Sequence, residues 1–280
     1  MRALAFAALL CCATGAAAAV PPAQSAFAER TGLLEVDARC HLFTPDIRFA
    51  LEAGAAQARG ALLRGGWTEA RIQELADAVT EAARGRACND AGIASAASAA
   101  RAGFASWARM PSMTFAGSER NWTARRFPDP GGWRLRQDVP VGAAFGVREV
   151  SGAQELDFVA PLANGEYPPA SAQLVVRDPD RARANLDVPG RLAHGLQAAA
   201  PSATASRVFF ASARRIETTT QHQRYMAFAF PQAAFQALLA LDPREAVEIR
   251  LGAAGEGRHF LIEVGDIAAA RAFLAISPSH

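Results

Sequence analysis

AVEIRLGAAGEGRHFLIEV, residues 246–264, decides the fold class. Val247, Ile249 and Leu251 alternate with Glu248 and Arg250, and Phe260, Ile262 and Val264 alternate with His259, Leu261 and Glu263. Such a period of two marks strands whose two faces meet different surroundings. GAAGEG between them has the composition of a hairpin turn. Pairing Leu251 with Arg258 sets Ile249 opposite Phe260, Val247 opposite Ile262 and Arg250 opposite His259. A slip of one residue would bring Phe260 against Arg250, so the pattern selects one antiparallel register.

Outward from this hairpin, IAAARAFLAI (267–276) reads as a short helix covering the sheet, and SPSH as a frayed tail. Upstream, strands are expected in VGAAFGVREV from Val141, ELDFVAPL from Glu155, AQLVVRD from Ala172, SRVFFASARRIE from Ser206 and QRYMAFAFP from Gln223. In the last of these, Met226, Phe228 and Phe230 share one face and Tyr225, Ala227 and Ala229 the other, which suits a strand covered on both sides. QAAFQALLALD, from Gln232, is a short helix. Residues 179–204 carry a weaker pattern of one or two short helices interrupted by Pro189.

The N-terminal part has a different period. TPDIRFALEAGAAQARGALLRG (44–65) places Thr44 at an N-cap and Pro45 at the first helical position, with Ile47, Leu51, Ala55, Ala58 and Leu62 at helical spacing. A second helix carries Ile72, Leu75, Val79 and Ala82. A third, capped by Asn89 and Asp90, carries Ile93, Ala97, Ala100, Phe104 and Trp107. The fold expected is α+β: an N-terminal three-helix segment over 33–110, a linker or wrapping loop over 111–133, and a mainly antiparallel β-sheet domain with short covering helices over 134–277.

The first residues, MRALAFAALLCCATGAAAA, run from a basic residue through a short apolar stretch to small side chains, the order of an export signal. Cleavage is expected after Ala19, with Ala28 as the alternative. The apolar stretch is too short to span a bilayer, so no transmembrane anchor is expected after cleavage. A soluble periplasmic or extracellular protein follows. Export leaves Cys40 and Cys88 as the cysteines of the mature chain, and in an oxidising compartment such a pair joins when the backbones approach. Two helices of similar length joined by a tight turn place these two cysteines at one end, so a Cys40–Cys88 disulfide is expected. A nucleophilic Cys40 would need a base, for which His41 is the sole neighbour in sequence.

All 29 basic residues are Arg, which excludes chemistry that needs a lysine, such as a phosphate-loop nucleotide site. Removing residues 1–19 takes away Arg2 and no acid, lowering the formal charge from +2 by one. A nearly neutral chain offers no electrostatic footprint for nucleic acid. No metal motif and no cofactor motif is present. His259 and Glu263 share a strand face but stand roughly 13 Å apart, too far for one metal ion.

Arg120, Arg125 and Arg126 lie near Trp122 and Trp133, an interleaving that suits an anionic or aromatic small ligand. A nonlocal catalytic set would combine His222 as base, Glu217 or Asp266 as its orienter and Ser212 as nucleophile, with His194 as a second imidazole. The leading expectation is an exported binding module, or one that meets an envelope protein, with a concave pocket at the junction of the two parts. The alternative is an exported cofactor-free hydrolase.

Overall fold

Four helices precede the sheets in the computed structural model, which describes residues 22–163, 165–182, 203–219, 222–252 and 257–276. They are α1 (Pro22–Cys40), α2 (Pro45–Arg64), α3 (Glu69–Arg84) and α4 (Ala91–Ala108). Each boundary has a local cause. Thr44 is extended with Pro45 behind it, the Thr68 hydroxyl accepts the Arg71 amide at 3.2 Å, and Asp90 Oδ1 accepts the Ile93 amide at 3.1 Å. Helix α2 ends in a Schellman turn: Gly66 takes φ 87°, Trp67 N–H donates to the Leu62 carbonyl and Gly66 N–H to that of Leu63.

The expected three helices are thus α2 to α4, and α1 is the addition. Phe27, Leu33 and Val36 bury its inner face. Helices α2 and α3 both lean on α1 and touch each other much less. This changes the reason for the disulfide without changing the disulfide. Cys40 is the last residue of α1, Cys88 follows α3, and their Cα atoms stand 5.6 Å apart across the bond. The bond joins the ends of two helices that pack side by side.

Eleven strands are described: β1 (Ser112–Phe115), β2 (Trp122–Arg125), β3 (Trp133–Val139), β4 (Ala143–Val150), β5 (Ala153–Pro161), β6 (Ala172–Arg177), β7 (Ser206–Phe210), β8 (Ala213–Thr218), β9 (Arg224–Phe230), β10 (Ala246–Leu251) and β11 (His259–Glu263). Helix α5 (Gln232–Leu239) follows β9, and α6 (Ile267–Ala275) follows β11. One antiparallel sheet runs β1-β2-β3-β4-β5-β9-β8 and a smaller one runs β11-β10-β6-β7. The hairpin register expected from 246–264 is the one observed: Ile249 faces Phe260, Val247 faces Ile262 and Arg250 faces His259, while Leu251 N–H donates to the Arg258 carbonyl.

Two expectations are corrected. Residues 111–133 are not only a linker: β1 and β2 lie there and form one edge of the large sheet, because Phe115, Trp122 and Ala124 turn into its core. SRVFFASARRIE is not one strand. It breaks at Ala211 and Ser212, so that β7 joins the small sheet and β8 the large one.

The sheets face each other. Phe158 meets Phe260 with ring centroids 4.8 Å apart, and Trp122, Phe145, Phe228 and Met226 are closed off from solvent. Each large side chain of this kind contributes about 1.5–3 kcal/mol. Buried polar groups then lock the stack. Gln137 and the Glu263 backbone exchange two hydrogen bonds at 2.8 and 3.1 Å, and the Trp122 indole donates to the Val264 carbonyl at 2.9 Å. The Glu263 carboxylate accepts the amides of Ser118, Glu119 and Arg120 at 2.6–3.0 Å, tying the β1–β2 loop to β11.

Helices and sheets meet along α2 and α6. Arg64 grips Asp266 with two bonds of 2.8 and 2.7 Å, at a place where Gly60 leaves room. A Cβ on Gly60 would stand 2.2 Å from the Asp266 carboxylate.

Candidate functional site

Helical stripes that do not close on one another form a cleft. Ala26, Arg30 and Leu33 follow one line along α1, and Ile47, Leu51, Gly54 and Gln57 one line along α2. From α4 come Ala99, Ala100, Gly103, Phe104 and Trp107. Met113 and Phe115 of β1 and Ala269 of α6 supply the floor. The cavity measures about 320 Å³, at the small end of the range for small-molecule sites. Alanines and glycines at the facing positions are the local reason it exists, since larger side chains there would fill it.

The lower half of each stripe is ordinary core: Ala58, Leu62 and Leu63 of α2, and Ile93 and Ala97 of α4, are buried. Ile47, Leu51, Ala100, Phe104 and Trp107, expected to face inward, do so, but they face the cleft as well as protein.

An aromatic wall closes the deep side. Trp107 stands edge-on to Phe273 at 5.3 Å, Phe115 lies 5.9 Å from Phe273, and Phe104 is 6.2 Å from Trp107. Arg126 holds this wall from behind. Its guanidinium lies 4.1 Å from the Phe273 ring centre and 5.3 Å from that of Trp107. It also donates to the carbonyls of Met110, Trp107 and Ile276, at and just beyond the C-terminal ends of α4 and α6. Burial lowers the Arg126 pKa from the usual arginine value.

At the rim, Arg30 N–H donates to the Gly54 carbonyl at 2.6 Å. Glu29 lines the same rim, yet among the described residues no carboxylate forms an ion pair with Arg30.

The ligand-binding residues expected from sequence do not line this cleft. Trp122 is core. Trp133 is buried, with the Arg136 and Arg148 guanidiniums 5.7 and 5.3 Å from its ring centre. Arg120 donates to the Leu261 carbonyl at 2.7 Å and stands 3.7 Å from Glu263. Arg125 is exposed on β2. Arg126 alone touches the site, from its far side. The interleaved residues pack in three separate places: Trp122 between the sheets, Trp133 under Arg136 and Arg148, and Arg126 behind Trp107 and Phe273. Alternation on β2 sends Trp122 inward, whereas the register shift between Trp133 and Leu135 leaves Trp133 on the outer face of the large sheet beside Arg136 and Arg148.

The expected catalytic set does not assemble either. Ser212 donates to the Ala229 carbonyl at 3.2 Å before β8, and His222 sits exposed, at φ 62°, in the turn beyond its other end. Six residues of strand put roughly 20 Å between them. Glu217 accepts two bonds from Arg148, and Asp266 is held by Arg64. His194 falls outside the described residues.

One acid–imidazole pair escaped the sequence reading: Glu248 and His259 bond across β10 and β11, with Arg250 on the same carboxylate at 2.7 Å. The signal was present in the register, which makes the two diagonal neighbours. Among the described residues no group of three or more His, Cys, Asp or Glu is arranged to hold a metal ion. Comparison of the chain with protein-family models, with curated proteins and with solved structures finds no match.

Proposed function

We propose that this chain is an exported binding protein whose junction cleft holds a small apolar molecule. The observation that carries the reading is the cleft itself, an aromatic-walled cavity between braced elements. The disulfide fixes α1 against the turn after α3, Arg126 fixes the aromatic wall, and Arg64 with Asp266 fixes α2 on α6. A site braced in this way loses little freedom when a ligand enters.

Export is supported by the disulfide, which belongs to an oxidising compartment. No helix among the described residues is long and apolar enough to cross a membrane. Cleavage after Ala19 leaves α1 whole from Pro22, whereas cleavage after Ala28 would remove Phe27 from its contacts with Ala58, Leu62, Leu63 and Ile72. The mature N-terminus is therefore expected at Val20.

Titration with N-phenyl-1-naphthylamine, a neutral probe that brightens in apolar surroundings, tests the cleft. Saturable binding by the parent protein is expected, weakened at least tenfold by Gly103→Leu, which fills the cavity from α4 and raises helix propensity rather than lowering it. Equal binding by parent and a folded Gly103→Leu variant would refute the reading.

A further inference from the structure

We infer that Arg30 receives an anionic head group, so that the cleft selects a monocarboxylate with an aromatic or aliphatic body. This rests on the cleft being a binding site and adds the class of ligand.

Gly54 makes room for the Arg30 guanidinium. A Cβ there would lie 3.0–3.1 Å from Nε, Cδ and Cζ of Arg30, so the missing side chain lets the guanidinium lie flat on α2. One N–H is spent on the Gly54 carbonyl. Among the described residues no second acceptor bonds the rest of the fork, which offers several parallel donors in a fixed plane. Carboxylate is the group that matches such a fork in shape and charge, and the pair is about twice as strong as one between neutral groups.

The contrast with other arginines at the helix–sheet boundary is direct. Arg64 is closed on Asp266, and Arg244 is closed on Asp242 at 2.9 Å. Arg30 lines a cavity instead, beside apolar side chains on which a ligand body would lie. Glu29 on the same rim opposes an anion there. It does not neutralise Arg30, and its field disfavours ligands carrying two or more negative charges.

The experiment displaces bound N-phenyl-1-naphthylamine with 2-naphthoate and with its neutral isostere 2-naphthamide, each against parent, Arg30→Gln, Arg30→Lys and Glu29→Gln proteins of matched melting temperature. In the parent, naphthoate should compete about tenfold more tightly than naphthamide. Arg30→Gln should abolish that preference and leave naphthamide unchanged. Arg30→Lys should restore part of it, and Glu29→Gln should strengthen naphthoate. Equal competition by the two compounds in the parent overturns the head-group assignment while the cleft stands, as does a preference that survives Arg30→Gln. A loss of naphthoate binding on Glu29→Gln also overturns it, by pointing to a cationic or zwitterionic ligand. If the probe itself fails to bind the parent, the cleft reading falls first and this one with it.

Discussion

Replacing Arg64 by Met would test whether the helices and sheets are held as one unit by a single buried ion pair. The Arg64 side chain is 13% exposed and that of Asp266 1%, with two bonds of 2.8 and 2.7 Å between them. Met keeps the apolar stem that Arg lays along the helix, so the change removes charge more than contact area. Breaking one partner of a buried pair leaves the other charge uncompensated, a cost of about 3–5 kcal/mol.

The pH dependence gives a second, independent reading. Burial raises the Asp266 pKa from its ordinary value, with Arg64 pulling in the other direction. A carboxyl whose folded pKa is raised binds protons more readily in the fold than in the unfolded chain. Its ionised form therefore costs stability, and that cost shrinks as pH falls through the window between the folded and the ordinary value. Without Arg64 the folded pKa moves further up, so the deficit of Arg64→Met should be largest near pH 7 and smaller near pH 5. Urea unfolding followed by tryptophan fluorescence measures both. A deficit below about 1 kcal/mol near neutral pH, or one of equal size at both, would refute the reasoning. The double variant Arg64→Met/Asp266→Leu should recover most of the loss, because an apolar pair leaves no buried charge behind.

Two further outcomes concern the disulfide and a buried acid of the large sheet. Cys40→Ser/Cys88→Ser opens a loop of sequence separation 48, and chain entropy sets the loss at about 4 kcal/mol; intact mass after alkylation should show both thiols protected in the parent, and two freely alkylated thiols would count against the bond. On the outer face of the large sheet, burial raises the Asp157 pKa against the pull of Arg215 and Arg148, and its Oδ1 has no partner among the described residues. Its ionised form weakens the fold, so the stability it adds appears as pH falls below its folded pKa and is lost as pH rises through it. Asp157→Asn should flatten the stability profile across that window in urea titrations at a series of pH values, and an unchanged slope would reject this origin.

Much of the architecture was legible because local pattern and tertiary role agree. Thr68, Asp90 and the Gly65-Gly66 pair announced helix ends that the structure keeps. The hairpin of β10 and β11 was legible to the residue, since a slip would invert every side chain of two short strands joined by a short loop. Helix α1 was missed because Pro22 to Gly32 carry no strong apolar stripe, and its burial comes from α2, α3 and α4, later in the chain. The break at Ala211 and Ser212 was invisible for a related reason. Alternation continues across it, and only the separation of the two sheets requires the chain to turn there.

The candidate cleft lies at the junction of helices and sheet, but its lining was not legible. A pocket at the junction was expected, but periodicity cannot separate a stripe that meets protein from one that meets a cavity. Leu51 and Leu62 have the same spacing along α2, yet the first lines the cleft and the second is core. Arg126 looked like a ligand-facing residue and proves to brace Trp107 and Phe273 from behind, because its carbonyl partners come from α4 and α6, far apart in sequence.

The residues alone determined the α+β class, the helix ends and one strand register, all matters of spacing along a few tens of residues; they also paired Cys40 with Cys88, but through a helix hairpin, where the fold joins them through α1 and α3. Only the tertiary structure decided which strands share a sheet, which arginine is left facing an open cavity and where that cavity lies. Those depend on groups brought together from distant parts of the chain, and short-range pattern carries no record of which distant partner will arrive.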